Sequence, residues 1–235
     1  MKKSIVISII TLFLYLHLST PIFAVEAAPQ TWEIQSVDTM KTSRDKARDN
    51  TTDPEIQRQL DAIKGLGANY VAIDTPYDTE FLPYLTRWVN LARSTGLKVW
   101  FRGNWSEWEG WFGYEKKLTP DEHLKKTYAF ILANPTLFAD GDIFDSCPEC
   151  ENAGHWKQPE RDNQYNEFIQ AQELNNATAF RAIGKKVYIN LPSIIGGRAK
   201  EVLTQETLDD LDNVVAIDHY IKDPKNMGEY ITYFK

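Results

Sequence analysis

The strongest constraint in this sequence is a repeated change of hydrophobic period. Short apolar runs alternate six times with longer stretches whose apolar residues recur at helical spacing. The runs at 32–37, 70–73, 98–102, 142–146, 186–190 and 214–219 read as strands. Between them, Ile56, Leu60, Ile63 and Leu66 mark one helix, Leu82, Leu85, Val89 and Ala92 a second, and Leu124, Tyr128 and Ile131 a third. Asp53-Pro54 and Thr119-Pro120-Asp121-Glu122 are helix starts, each a capping side chain followed by a proline whose missing N–H is not needed there. Gly67, Gly96 and Gly184 stop helices. A long helix is predicted over 165–183, a weaker one over 203–211, and another from Pro224.

Crossovers of this length bring each strand back parallel, so the sheet is expected to be parallel with helices outside it. Two architectures satisfy that pattern, an open doubly wound sheet and a closed barrel. The glycine-rich G-x-G-x-x-G turn of dinucleotide binders is missing after the first strand. Polar side chains instead cluster at the C-terminal strand ends: Asp38, Asp74, Arg102, Asn104, Glu149, Asn190, His219 and Tyr220. In a TIM-type (β/α)8 barrel those ends converge on one mouth, and that α/β fold is the expectation. Eight units take roughly 250 residues. The 235-residue chain reaches Lys235 inside its sixth helix. The expected fold is therefore an incomplete barrel of about six βα units, truncated at the C-terminus, with strands seven and eight missing. The alternative is a complete open sheet of six strands.

The N-terminus reads as a targeting segment. Met1-Lys2-Lys3 precedes an apolar run over 5–18, and small residues follow at Ala24, Ala27 and Ala28. A signal peptide over 1–24, or cut as late as residue 28, leaves 30–235 as the barrel domain. The apolar run is shorter than the ~20 residues of a membrane span, so no stable span is expected unless the signal peptide stays uncleaved as an anchor. The protein is expected to be secreted, periplasmic or on the cell surface, an oxidising setting. Lys and Arg number 26 against 33 Asp and Glu, a net charge of −7. No basic face is available to replace phosphate counterions, which argues against nucleic acid. No metal site and no cofactor is expected.

The most informative stretch is 141–154, G-D-I-F-D-S-C-P-E-C-E-N-A-G. It sets Glu149 just past the fourth strand, with Glu151 and Asn152 behind it. Arg102-Gly-Asn-Trp105 leaves the third strand, followed by Trp108 and Trp111, and Asp218-His219-Tyr220 leaves the sixth. Together these resemble the barrel-type retaining glycoside hydrolases of clan A, the superfamily of cellulases and mannanases. The resemblance implies hydrolysis of a β-linked oligo- or polysaccharide, with Glu149 as the acid/base. It also implies a nucleophilic Glu at the end of strand seven, which would lie beyond Lys235. Retaining hydrolysis needs both carboxyls, so the chain alone is expected to be inactive. Pro148 stands where the family has an Asn that contacts the sugar.

Substrate-binding candidates are Arg102, Asn104, Trp105, Trp108, Trp111, Glu151, Asn152, His219 and Tyr220. The three tryptophans could form a stacking row for sugar rings or plug the loop as core. Glu151 could face water or orient a neighbour. Cys147-Pro-Glu-Cys150 admits a local disulfide, a redox dithiol, or a zinc site with His155 that lacks a fourth ligand. Export favours the disulfide. Two alternative functions remain, a non-catalytic carbohydrate-binding barrel and an exported C-x-x-C thiol oxidoreductase.

Overall fold

Strand β1 (Ser36–Asp38) leads into a one-turn helix α1 (Met40–Ser43) and then α2 (Asp53–Gly65). The chain continues through β2 (Tyr70–Ile73), α3 (Leu82–Ser94), β3 (Lys98–Phe101), the short α4 (Ser106–Glu109) and α5 (Pro120–Ala133). Then follow β4 (Ile143–Phe144), α6 (Asp162–Ala182), β5 (Tyr188–Ile189) and β6 (Ser193–Ile195). The last elements are α7 (Gly196–Val202), α8 (Gln205–Asp210) and β7 (Ala216–Asp218). This computed structural model describes residues 33–152, 162–191, 193–211 and 216–218. The signal-peptide reading, His155, His219, Tyr220 and the helix from Pro224 lie outside the described residues.

The fold is α/β. Strands β1 to β5 form one sheet in sequential order, every neighbouring pair parallel. Strands β6 and β7 form a second, two-stranded parallel pair. The order never reverses, whereas a doubly wound sheet reverses at its switch point. All four residues of β2 are buried, as expected for a parallel strand covered on both faces. Val71, Ile73, Val99, Phe101 and Phe144 from the strands share one core with Ile56, Leu60, Leu85, Trp88, Ile131, Ile169 and Phe180 from the helices.

Both expected helix starts are real, with one shift. Thr119 caps α5 through a capping box, its backbone N–H donating to Glu122 Oε2 at 2.9 Å. At α2 the cap is Thr52 rather than Asp53, with the Thr52 N–H donating to Glu55 Oε2 at 2.7 Å. The expected fifth strand over 186–190 is shortened to β5, which pairs with β4, and β6, a strand not expected from the sequence, pairs with β7. The helix expected over 203–211 is α8, shortened to Gln205–Asp210 and capped by Thr204, whose hydroxyl accepts from the Thr207 N–H, while α7 before it was not expected.

One side chain ties the two sheets together. The Arg102 guanidinium, just past β3, bonds Asp38 at the end of β1 (3.1 Å) and Asp218 at the end of β7 (2.8 Å). The C-terminal end of the second pair therefore lies beside the C-terminal ends of the five-stranded sheet.

Candidate functional site

The strand ends supply the site. Asp38 and Asp218 end β1 and β7, while Asp74, Arg102, Asp145 and Asn190 directly follow β2, β3, β4 and β5. Arg102 sits among the four aspartates. Burial opposes its charge, but Asp218, Asp145, Asp74 and Asp38 together raise its pKa. Asp145 is fully buried, accepting from the Cys147 N–H and from Asn190 Nδ2, both at 3.1 Å. Burial pushes its pKa up to about 7 against the pull of Arg102. Asp74 is 5% exposed, and its Oδ2 has no hydrogen-bond partner. Burial and the nearby Asp38 push it up to about 8.

Above these residues lies a cleft of about 400 Å³, lined by Asp38, Arg44, Asp74, Arg102, Glu109, Trp111, Pro148, Glu149, Asn152 and Asp218, with Met40 at one side. Glu149 reaches it from a tight loop closed by the Cys147–Cys150 disulfide, whose Cα atoms are 5.2 Å apart. The Glu149 N–H donates to the Ser193 carbonyl at 2.6 Å, and its φ of 50° is left-handed, a conformation most side chains avoid. Both cysteines are buried, and thiol–disulfide exchange needs an accessible sulfur.

Glu109 enters the same cleft from the end of α4, where the left-handed Gly110 turns the chain away. Its Oε1 accepts from Asn104 Nδ2 at 2.7 Å. Asn104 is wholly buried and cannot rotate freely, because its Oδ1 accepts from the Trp105 N–H (2.8 Å) and faces His123 Nε2 (3.0 Å). With Oδ1 an acceptor, Nε2 must carry the His123 proton. Burial lowers the His123 pKa to about 3, so the ring is neutral and its Nδ1 is bare. Burial raises the Glu109 carboxyl, the Asn104 hydrogen bond opposes that rise, and the charge of Glu149 adds to it. Glu109 and Glu149 thus share one cleft, and a pair of carboxyls is the equipment of acid–base chemistry.

The structure separates the remaining candidates. Arg102, Trp111, Glu149 and Asn152 line the cleft. The expected tryptophan row does not form. Trp105 is 5% exposed and donates through Nε1 to Thr127 Oγ1 at 3.0 Å, and Trp108, 3% exposed, stacks on Phe168 at 5.5 Å. The one-turn helix α4 rotates these two rings inward and leaves Trp111 outside, under the Arg44 guanidinium at 4.8 Å. Asn104 is a support for Glu109 rather than a cleft residue. Glu151 is 1% exposed and does not reach the cleft. Its Oε1 accepts from the Ile195 N–H at 2.7 Å, while burial pushes its pKa up to about 7. Glu109 and Asp145 were not singled out from the sequence. Asp145 follows a strand directly, a signal that was available, whereas nothing in the periodicity marks Glu109.

The fold and site define a class: an α/β protein with a five-stranded parallel sheet and an acidic cleft at the C-terminal strand ends. No protein-family model matches the chain, and no curated protein resembles it. Among the described residues no helix is long and apolar enough to cross a membrane, and no group of His, Cys, Asp and Glu could hold a metal ion.

Proposed function

We propose that the chain belongs to an exported glycoside hydrolase on a (β/α)8 barrel, and that its cleft binds a β-linked oligo- or polysaccharide. The carrying observation is that Glu149 and Glu109 line one cleft beside Trp111. The sequential parallel order of β1 to β5 and the meeting of the β1, β3 and β7 ends at Arg102 support the barrel. Trp111 is the platform for a sugar ring. Glu149, facing the cleft, is the acid/base that protonates the leaving oxygen and then activates water. Glu109, held by Asn104, donates or accepts at a sugar hydroxyl. The resemblance to clan A calls for a second carboxyl as nucleophile, which this reading assigns to none of the cleft residues.

Titration of the full chain with β-linked gluco-, manno- and xylo-oligosaccharides tests this reading. At least one series should bind, and Trp111→Ala should weaken it about tenfold, the worth of one stacked ring. If no saccharide binds, or if Trp111→Ala binds as tightly as the native chain, the proposal fails.

A further inference from the structure

The cleft carries more negative charge than its own cations balance. Five carboxyl residues line it, Asp38, Asp74, Glu109, Glu149 and Asp218, against two arginines, Arg44 and Arg102. Both arginines are engaged inside the protein. Arg102 is held by Asp38 and Asp218, and Arg44 by Asp45 at 2.8 Å. Among the described residues neither Asp74 nor Glu109 has an ion-pair partner, and Asp74, 95% buried, leaves Oδ2 without any hydrogen bond. A neutral sugar would satisfy hydrogen bonds there and leave Asp74 protonated. We propose that the saccharide bound in this cleft carries free ammonium groups, an oligomer of amino sugars without N-acetyl groups, and that one ammonium seats against Asp74 and Asp38.

This inference rests on the glycan reading and names its substrate class. Asp74 is faced by Asp38 from β1, Arg44 beyond α1, Tyr77 beyond β2, Arg102 beyond β3 and Asp145 beyond β4. Two carboxyls and two guanidiniums face it, and burial, the larger effect, makes the group keep a proton that an arriving cation displaces. Binding is therefore coupled to proton release. The relation also runs the other way: excess acid restores the proton and weakens binding, and strong alkali strips the ligand's ammonium.

The test is calorimetric titration of the full chain at about pH 6, where Asp74 is protonated and an alkylammonium is charged. The ligands are β-linked tetramers of glucosamine, N-acetylglucosamine and glucose, with spermine as a cation lacking a sugar ring. The glucosamine tetramer should bind at least about tenfold more tightly than the other two sugars. Runs in two buffers of different ionisation heat should show release of about one proton per site. Asp74→Asn, which keeps the volume and removes the charge, should bring the three sugars to similar affinity. Equal binding of all three by the native chain overturns the ammonium and leaves the glycan reading intact. Spermine binding without any saccharide binding, or no binding at all, overturns both. If Asp74→Asn keeps the full preference, Asp74 is not the seat. If that variant fails to fold, amino-sugar binding without proton release by the native chain overturns the proposal equally.

Discussion

Burying a carboxyl at the end of β2 makes Asp74 hold a proton that an aspartate in water gives up. Its pKa rises from 3.8 to about 8, chiefly through burial. Between those values the folded chain keeps the proton and the unfolded chain has lost it, so the native state binds more protons. Stability attributable to this residue therefore falls as pH rises from about 4 to about 8, and levels off above. Asp74→Asn removes the titration. Its melting temperature, compared with the native chain, should climb by several degrees across that window. A constant difference across the window would contradict the burial argument. Glu109 shows the same physics at lower stakes, since burial raises its carboxyl and the Asn104 hydrogen bond opposes the rise.

At the scale of elements, the segments most legible in the sequence are those whose period is unambiguous. The run 70–73 coincides with β2, and the helix starts near Pro54 and Pro120 lie within a residue of α2 and α5. Short elements were not legible. A four-residue helix such as α4 gives too little periodicity to read, yet its rotation decides which of Trp105, Trp108 and Trp111 meets the cleft. Strand β6 was equally hidden, because the three residues Ser193–Ile195 are too short a run to show a period. The β3–α4 connection depends on Gly103. A Cβ there would overlap the Thr75 carbonyl oxygen and come within 2.7 Å of Tyr77 Cε1, while Tyr77 is itself fixed by its 2.6 Å bond to the Asp145 carbonyl. Gly103→Ala should cost about 1–3 kcal/mol in a denaturant titration, the usual cost of overpacking a filled site. A loss below about half a kcal/mol would show that this connection yields.

For the whole molecule, alternation of strand and helix settled the parallel α/β arrangement in advance, while the meeting of distant strand ends was invisible to it. Periodicity reports which face of an element is buried, not how far apart two strand ends lie. That information sits in long-range contacts such as Arg102 with Asp38 and Asp218, 64 and 116 residues away in the chain. Through them the ends of β1, β3 and β7 become one site, and the candidate residues scattered over the sequence acquire a common cleft. Glu149 was legible from its place after β4, and Glu109 was not, because its role depends on Asn104 and on the fold of α4. The most direct measurement is a crystal structure of the full chain with a β-linked oligosaccharide bound. The account predicts a sugar ring against Trp111 and a glycosidic oxygen within about 2.6–3.2 Å of the Glu149 carboxyl. A saccharide seated elsewhere, or a cleft without sugar under saturating ligand, would contradict it.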